Sequence, residues 1–497
     1  MSLSFNFGRF PLGQPARRRD DDDDCFRILL LGDFSGRGLR GEHRSREALK
    51  AAKLRLLDVD TLDAVVASFA TTLSLPLGPA GGHLSLALKG LDDLHPDALY
   101  DQLPLFDELA SLRQRLANPA TSAAAAAEVR QWPAAAALRA GAPAPAADTL
   151  PAGAELADFA RLLGHAPGAA AAAPPPSPID ALIRQAIAPY LVEAGAPDAK
   201  ALIGIVDQAL SATMRALLQQ PDFQAIEVAW RTLDFAARRI ETDETLKLLV
   251  LDLSAEEFAA DLSAGDQLED SALYQLLVAQ PALNGKPLSA LVGQYGFELS
   301  ASHAELLGRI GAIAARAGAP FIGAIGRGAV GIEEDALEPR VAAAWAALRA
   351  LPAARHLMLT TPRCLLRAPY GRRGESTERF AFEELAAPAR SAPPLPFAPA
   401  PLLAAVLLAQ HVRENGPDEA PGALLNVEDM ACYHEVDADG DLVAVRCTEL
   451  PLTERLAAQV HALGFTPVLS HKGRPEARLG GFASIAGGVL AGRWSGA

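Results

Sequence analysis

Three stretches of the chain hold residues whose types could do chemistry. The first is Gly32-Asp-Phe-Ser-Gly-Arg-Gly38, a glycine-rich turn directly after an apolar run. A phosphate-cradling loop needs GxxxxGK[ST], because its lysine and hydroxyl reach the phosphates and magnesium; both are missing here, as is GxGxxG spacing. The second is Asp437, Asp439 and Asp441, which alternate like the opening ligands of a calcium loop. Such a loop needs glycine at its sixth position and a bidentate glutamate at its twelfth, where this chain has Leu442 and Thr448. A hairpin turn with aspartates in Asx-type geometry fits better. The third is Cys364, which could pair with His356 as nucleophile and base, but it sits in an apolar run and reads as a core thiol. GxSxG and HExxH are absent, and Cys432 and His434 have no further ligands at metal spacing. The expectation is a protein that is not an enzyme, with no catalytic residues, no cofactor and no metal.

The remaining conspicuous residues are structural candidates: Trp230, Arg231, Pro362, Arg363, Arg367 and Tyr370. They fall in two segments, Phe223–Leu233 and Leu359–Gly371. An arginine beside apolar sequence usually forks onto a carboxylate. Glu227, Glu383 and Glu384 are candidate partners; a surface arginine with its stem laid on apolar neighbours is the alternative.

Composition bounds what such residues can serve. At 497 residues, half of them hydrophobic, the chain exceeds one ordinary core and predicts two or more domains. Lys and Arg number 45 against 60 Asp and Glu, a net charge of −15. Phosphate backbones require clustered cations, so nucleic acid is not an expected partner. Four cysteines form neither a disulfide framework nor a CxxC pattern, which fits a reduced, cytoplasmic setting. The N-terminus lacks a basic stretch followed by an apolar core. The apolar runs 401–409 and 319–332 fall short of the roughly 20 residues of a spanning helix, so no membrane insertion is expected.

The elements that would hold these residues follow from periodicity. Residues 1–24 read as a flexible arm ending in an aspartate run, a solvated tail. Residues 25–133 read as a small α/β domain. It opens with a buried strand over Phe26–Leu31, continues with a hairpin carrying Leu73, Leu75 and Leu77 then Leu84, Leu86 and Leu88, and ends in a helix with Leu105, Leu109, Leu112 and Leu116 on one face. Residues 134–178 form an Ala/Pro-rich linker. Inside it, 154–163 predicts a short amphipathic helix with Leu156, Phe159, Leu162 and Leu163 on one side. Such a helix either docks into a partner's groove or packs on its own protein. Residues 179–497 read as a larger mixed α/β domain. Helices are expected over 179–191, 201–218, 223–239, 306–317 and 341–350, and strands over 246–253, 290–297 and 320–325. The strand beginning near Leu463–Val468 is expected to be the last.

Taken in order, these pieces resemble the contractile sheath of type VI secretion systems. Phe223–Leu233, Glu241-Thr-Asp243, Leu291-Val-Gly-Gln-Tyr-Gly-Phe297, Ala319-Pro-Phe-Ile322, Leu359–Gly371, Phe380-Ala-Phe-Glu-Glu384 and Cys447-Thr-Glu449 with Leu463-Gly-Phe-Thr-Pro467 are similar to the large subunit. Leu30–Arg37 and Leu91-Asp-Asp-Leu-His-Pro-Asp97 are similar to the small subunit. The chain therefore looks like both subunits fused through the linker, whose length of about 45 residues implies a coil of roughly 35–40 Å and a millimolar effective concentration.

The resemblance implies a structural role, with assembly and contraction around an inner tube and no chemistry. It implies partners as well: other sheath subunits or copies of itself, an inner-tube protein, baseplate components, and a disassembly ATPase that would read the Leu156–Leu163 helix. Two departures stand out. Gln294 occupies a usually acidic position, and large subunits continue through a C-terminal segment that this sequence is expected to lack, so that the large-subunit part is shortened. A sheath-like accessory that caps, nucleates or regulates the tube without polymerising is therefore the alternative.

Overall fold

The computed structural model describes residues 4–10, 24–76, 83–131, 199–333, 336–372, 374–385, 394–436 and 442–495. The linker 134–178 and its expected helix, Leu156, Phe159, Leu162 and Leu163 included, lie outside the described residues. So do the expected helix 179–191 and Asp437–Asp441. The chain divides into two compact units: residues 1–69, 226–368 and 396–497 in one, and 70–225 with 369–395 in the other.

The first unit is built on a nine-stranded sheet. Its strands are β1 (Phe26–Gly32), β2 (Arg55–Leu57), β3 (Leu246–Asp252), β4 (Ala290–Phe297), β5 (Phe321–Ile325), β6 (Leu357–Thr361), β7 (Asn426–Val427), β8 (Thr466–Ser470) and β9 (Ala477–Leu479). Their spatial order is β7-β9-β8-β6-β5-β4-β1-β3-β2. The six central strands from β8 to β3 run parallel, and β9, β7 and β2 are antiparallel additions at the edges. A parallel sheet is covered on both faces, which is why β1 reads as an apolar run broken only by Arg27 and is buried at every residue. Thr466–Ser470 is followed by a further strand, Ala477–Leu479, contrary to the expectation that it would be the last; β9 is only three residues long and too short for periodicity to announce it.

The decisive feature is the place of β1. It pairs with β3 from Phe26↔Leu246 to Gly32↔Asp252, and on its other side with β4 from Ile28↔Ala290 to Leu31↔Gly293. A strand from the first block thus lies between two strands of the last block, within one chain. Residues up to Phe69 belong with this unit, while the hairpin Thr72–Pro76 with His83–Ala87 belongs to the other.

Helices close the faces: α1 (Pro221–Arg239, in this unit from Ile226 on), α2 (Ala255–Ser263), α3 (Ala301–Ala317), α4 (Pro339–Arg349), α5 (Pro401–Asn415) and α6 (Glu454–Ala462). Local sequence fixes their ends. Ser254, Ser300 and Thr453 accept backbone N–H groups as N-caps of α2, α3 and α6, and Gly318 ends α3 in the left-handed conformation. The cap at Ser300 starts α3 at Ala301, five residues ahead of the helix expected from periodicity. Leu29, Leu31, Leu251, Phe258, Leu307, Ile310 and Trp345 meet in one core cluster.

In the second unit the helices Pro104–Ala117 and Ala199–Leu218 pack together, and Arg113 bonds Asp207 at 2.5 Å. Leu109, Leu112 and Leu116 are buried as the pattern requires. The stretch Lys200–Leu218 is, by length and composition alone, apolar enough to cross a membrane, but half of it is buried against its neighbours. Tyr100 stacks between Phe106 and Phe380, at 5.6 and 5.2 Å between ring centroids.

Candidate functional site

The glycine-rich turn after β1 closes an ion-pair lock. Asp33 accepts from the backbone N–H groups of Arg37 and Gly38, both at 2.9 Å, which curls the turn back on itself. The turn then fastens to the end of β3 and the start of α2. Ser35 N–H donates to Asp252 Oδ1 at 3.0 Å, Arg37 Nη1 pairs with Asp252 Oδ2, and Arg37 Nη2 reaches Glu257 Oε2 at 3.3 Å. Arg44 adds Nη2 to the Asp252 carbonyl at 2.6 Å and three bonds to Glu257. A Cβ on Gly38 would lie 2.8 Å from Glu256 Oε2 and 2.9 Å from Asp33 Oδ2. Carboxylate oxygens therefore fill the space that a phosphate would need, and the turn binds its own chain.

Glu257 has two duties. It completes the capping box of α2, accepting from Ser254 N–H while Ser254 Oγ accepts from Glu257 N–H. It also holds the Arg37–Arg44 pair. Burial alone would raise its pKa; the hydrogen bonds from Arg44, with help from Arg37, outweigh burial and bring it down to about 2.

A second cluster surrounds Glu227 on α1, which is fully buried. Arg367 donates Nε to Glu227 Oε1 at 2.6 Å and Nη2 to Oε2 at 3.3 Å, and Arg231 adds Nε at 2.8 Å. Desolvation pushes this carboxyl up, but the Arg367 and Arg231 guanidiniums prevail and hold it below the usual carboxylate range. One turn along, the buried Trp230 donates its indole N–H to the Phe34 carbonyl at 2.7 Å, tying α1 to the turn after β1.

Of the six structural candidates, Trp230, Arg231 and Arg367 are thus gathered around α1. Pro362 follows a cis peptide bond at the end of β6. Arg363 does not use the glutamates considered from sequence: its backbone N–H, Nε and Nη2 go to Glu449, at 3.2, 2.8 and 2.6 Å. Tyr370 belongs to the second unit, where its N–H donates to Glu384 Oε2 at 2.8 Å and its ring meets His95 edge-on at 5.0 Å. Cys364 is buried, and burial pushes its thiol pKa well above the ordinary range, which removes the thiolate that nucleophilic chemistry would need. Sequence reasoning missed Arg37, Arg44, Asp252 and Glu257. The Ser254-x-x-Glu257 spacing of the capping box was the available signal.

Residues 200–486, more than half of the chain, match the family described as EvpB/VC_A0108, tail sheath N-terminal domain. The chain belongs to this tail-sheath family. Residues 21–132 match a second family, described as type VI secretion system, VipA, VC_A0107 or Hcp2. One polypeptide therefore carries a small-subunit-type segment followed by a large-subunit-type segment. The chain is also similar to the type VI secretion system sheath protein TssC1 of Pseudomonas aeruginosa, with 30% identity over 308 residues. That match covers 58% of this chain and 61% of the relative, so the chain spans about three-fifths of the length of the curated relative it matches.

Against the two sheath segments, the lock takes on meaning. β1, Phe34, Arg37 and Arg44 lie in the first matched segment; β3, β4, Trp230, Asp252 and Glu257 lie in the second. The strand pairing, the indole bond and the ion pairs are all contacts between the two sheath-type parts of one chain.

Proposed function

We propose that this protein is a structural subunit of a type VI secretion contractile sheath, acting by assembly and contraction around an inner tube and performing no catalysis. On this reading, 25–133 and 179–497 are the small- and large-subunit parts, 134–178 is their tether, and the fused chain works in the cytoplasm. The observation that carries the reading is the insertion of β1 between β3 and β4. A parallel strand held by neighbours on both sides is an obligate contact, so each copy brings both parts in one-to-one ratio. Trp230, Arg231, Pro362, Arg363, Arg367 and Tyr370 act as structural supports of the large-subunit part. The partners are further copies of the chain or other sheath subunits, an inner-tube protein and baseplate components. The segment with Leu156, Phe159, Leu162 and Leu163 serves as a docking peptide for a disassembly ATPase.

Negative-stain electron microscopy of the purified full chain, alone and with the inner-tube protein of its own system, tests this function. Tubes or stacked rings support it. Discrete monomers or small oligomers in both samples would overturn the building-block role in favour of an accessory that does not polymerise.

A further inference from the structure

The N-terminal residues Ser4–Phe10 are docked on the first unit, where a solvated tail was expected. The sequence Ser-Phe-Asn-Phe-Gly-Arg-Phe runs along it and turns at the left-handed Gly8, with Phe5, Phe7 and Phe10 packed against the core cluster and Asn6 and Arg9 exposed. Arg9 N–H donates to the Asp266 carbonyl at 2.7 Å and its carbonyl accepts from Leu268 N–H at 3.0 Å, which makes one parallel β-bridge between Arg9 and Gln267. Asn6 Nδ2 donates to Asp266 Oδ1 at 2.6 Å.

The groove is shaped for these side chains. A Cβ on Gly308 of α3 would lie 2.3 Å from Phe7, and its three nearest atoms all belong to Phe7, so the bare glycine is the socket for that ring. Phe10 meets Tyr274 at 5.5 Å between centroids, with the Arg316 guanidinium 5.6 Å from its own. Arg309, buried on α3, holds the floor with Nη1 bonds of 2.7 Å to both the Leu262 and Gly265 carbonyls. Its Nε is left for the Asn6 carbonyl at 3.2 Å.

We propose that Ser4–Phe10 is a separable aromatic peptide ligand, and that the groove of α3, the 262–268 loop and Tyr274 accepts it from a second copy of this chain. Among the described residues, the arm's hydrogen bonds and ring contacts outside itself all go to residues 262–316, and none goes to β1, which follows it. Backbone strand addition with side-chain pockets is a complete mode of peptide recognition. The arm is joined to Asp24 through residues 11–23, whose covalent geometry permits a reach of up to about 45 Å. Recognition thus draws on nothing beyond the peptide, and an identical arm from another copy satisfies the same contacts, as in domain swapping. The proposal stands apart from the sheath role, since it needs neither tube nor contraction.

The test uses two full-length variants that cannot satisfy themselves. A donor carries Asn6→Cys with Gly308→Ala, which blocks its own socket while improving helix propensity. An acceptor carries Asp266→Cys with Phe7→Ala, which disables its own arm. A short bis-maleimide joins the two new thiols where a donor arm occupies an acceptor groove. A donor–acceptor dimer on denaturing gels, at least fivefold above the same mixture with Gly308→Ala added to the acceptor, is the expected result. Equal dimer in both mixtures overturns the proposal. A single chain carrying Asn6→Cys and Asp266→Cys must also close on itself; if it does not, the docking is absent and the proposal falls with it.

Discussion

Arg44 closes on Glu257 with three donors: its backbone N–H at 2.7 Å, Nε at 3.0 Å and Nη2 at 2.8 Å. The two residues are 213 positions apart and belong to different sheath-type segments. Their grip makes the join acid-sensitive. The Glu257 carboxyl is held at about 2 in the folded chain against an ordinary 4.5. A depressed carboxylate contributes its full stability above the ordinary value and loses it as pH falls through the folded one. Stability attributable to Glu257 should therefore be constant above about pH 5 and drain away between pH 4.5 and 2, by up to about 3 kcal/mol. Glu257→Gln keeps the capping box but loses the charge, so its melting curves should converge with wild type across that window. Curves that stay parallel would remove Glu257 from the acid response.

Arg367→Leu should be among the most damaging single changes in the first unit. It leaves Glu227 fully buried with Arg231 as its remaining ion-pair partner among the described residues, and stripping one member from a buried pair costs about 3–5 kcal/mol. Arg231 is more exposed, so Arg231→Leu should cost less. The double variant Glu227→Leu with Arg367→Leu should recover much of the loss, because no buried charge is then left over. Urea denaturation measures all three, and an Arg367→Leu midpoint matching wild type would contradict this account.

Trp230→Phe should loosen the join from the other side. The change deletes the indole N–H that serves the Phe34 carbonyl and leaves a gap in a fully buried site, at a cost of about 2–3 kcal/mol. Hydrogen exchange offers a local reading. Protection should fall in the 33–38 turn and along β1 more than in α3, and uniform loss across the unit would argue for a global effect.

Much of this is legible in the sequence. The run Phe26–Leu31 announces a strand buried on both faces, and Leu73–Leu77 with Leu84–Leu88 announces a hairpin, because side-chain period reports burial directly. Where β1 goes was not legible, since its apolar neighbours β3 and β4 lie more than 200 residues away and buried parallel strands look alike in sequence. Arginines beside apolar sequence pointed correctly to Glu227, four residues from Arg231, but gave no route from Arg363 to Glu449 across a long separation. The arm misled for a different reason. Its charged end at Arg17–Asp24 suggested solvent, and three phenylalanines within Phe5–Phe10 were the overlooked signal for docking.

Gln294 offers a prediction of opposite sign. It lies on β4 where pairing with β5 slips between Val292 and Gly296. Both of its amide atoms are buried, and among the described residues neither finds a partner. An unsatisfied buried amide costs about 1–3 kcal/mol, whereas an apolar group of similar shape avoids that loss. Gln294→Leu should therefore raise stability by about 1 kcal/mol, or about 2–4 °C in melting temperature for a unit of this size. Gln294→Glu should lower it, because an ionised carboxylate without donors is harder to bury than an amide. Thermal melts of the two variants against wild type decide the matter: if Leu destabilises and Glu stabilises, a hidden cationic partner holds this position, and the amide is a neutral stand-in for a carboxylate.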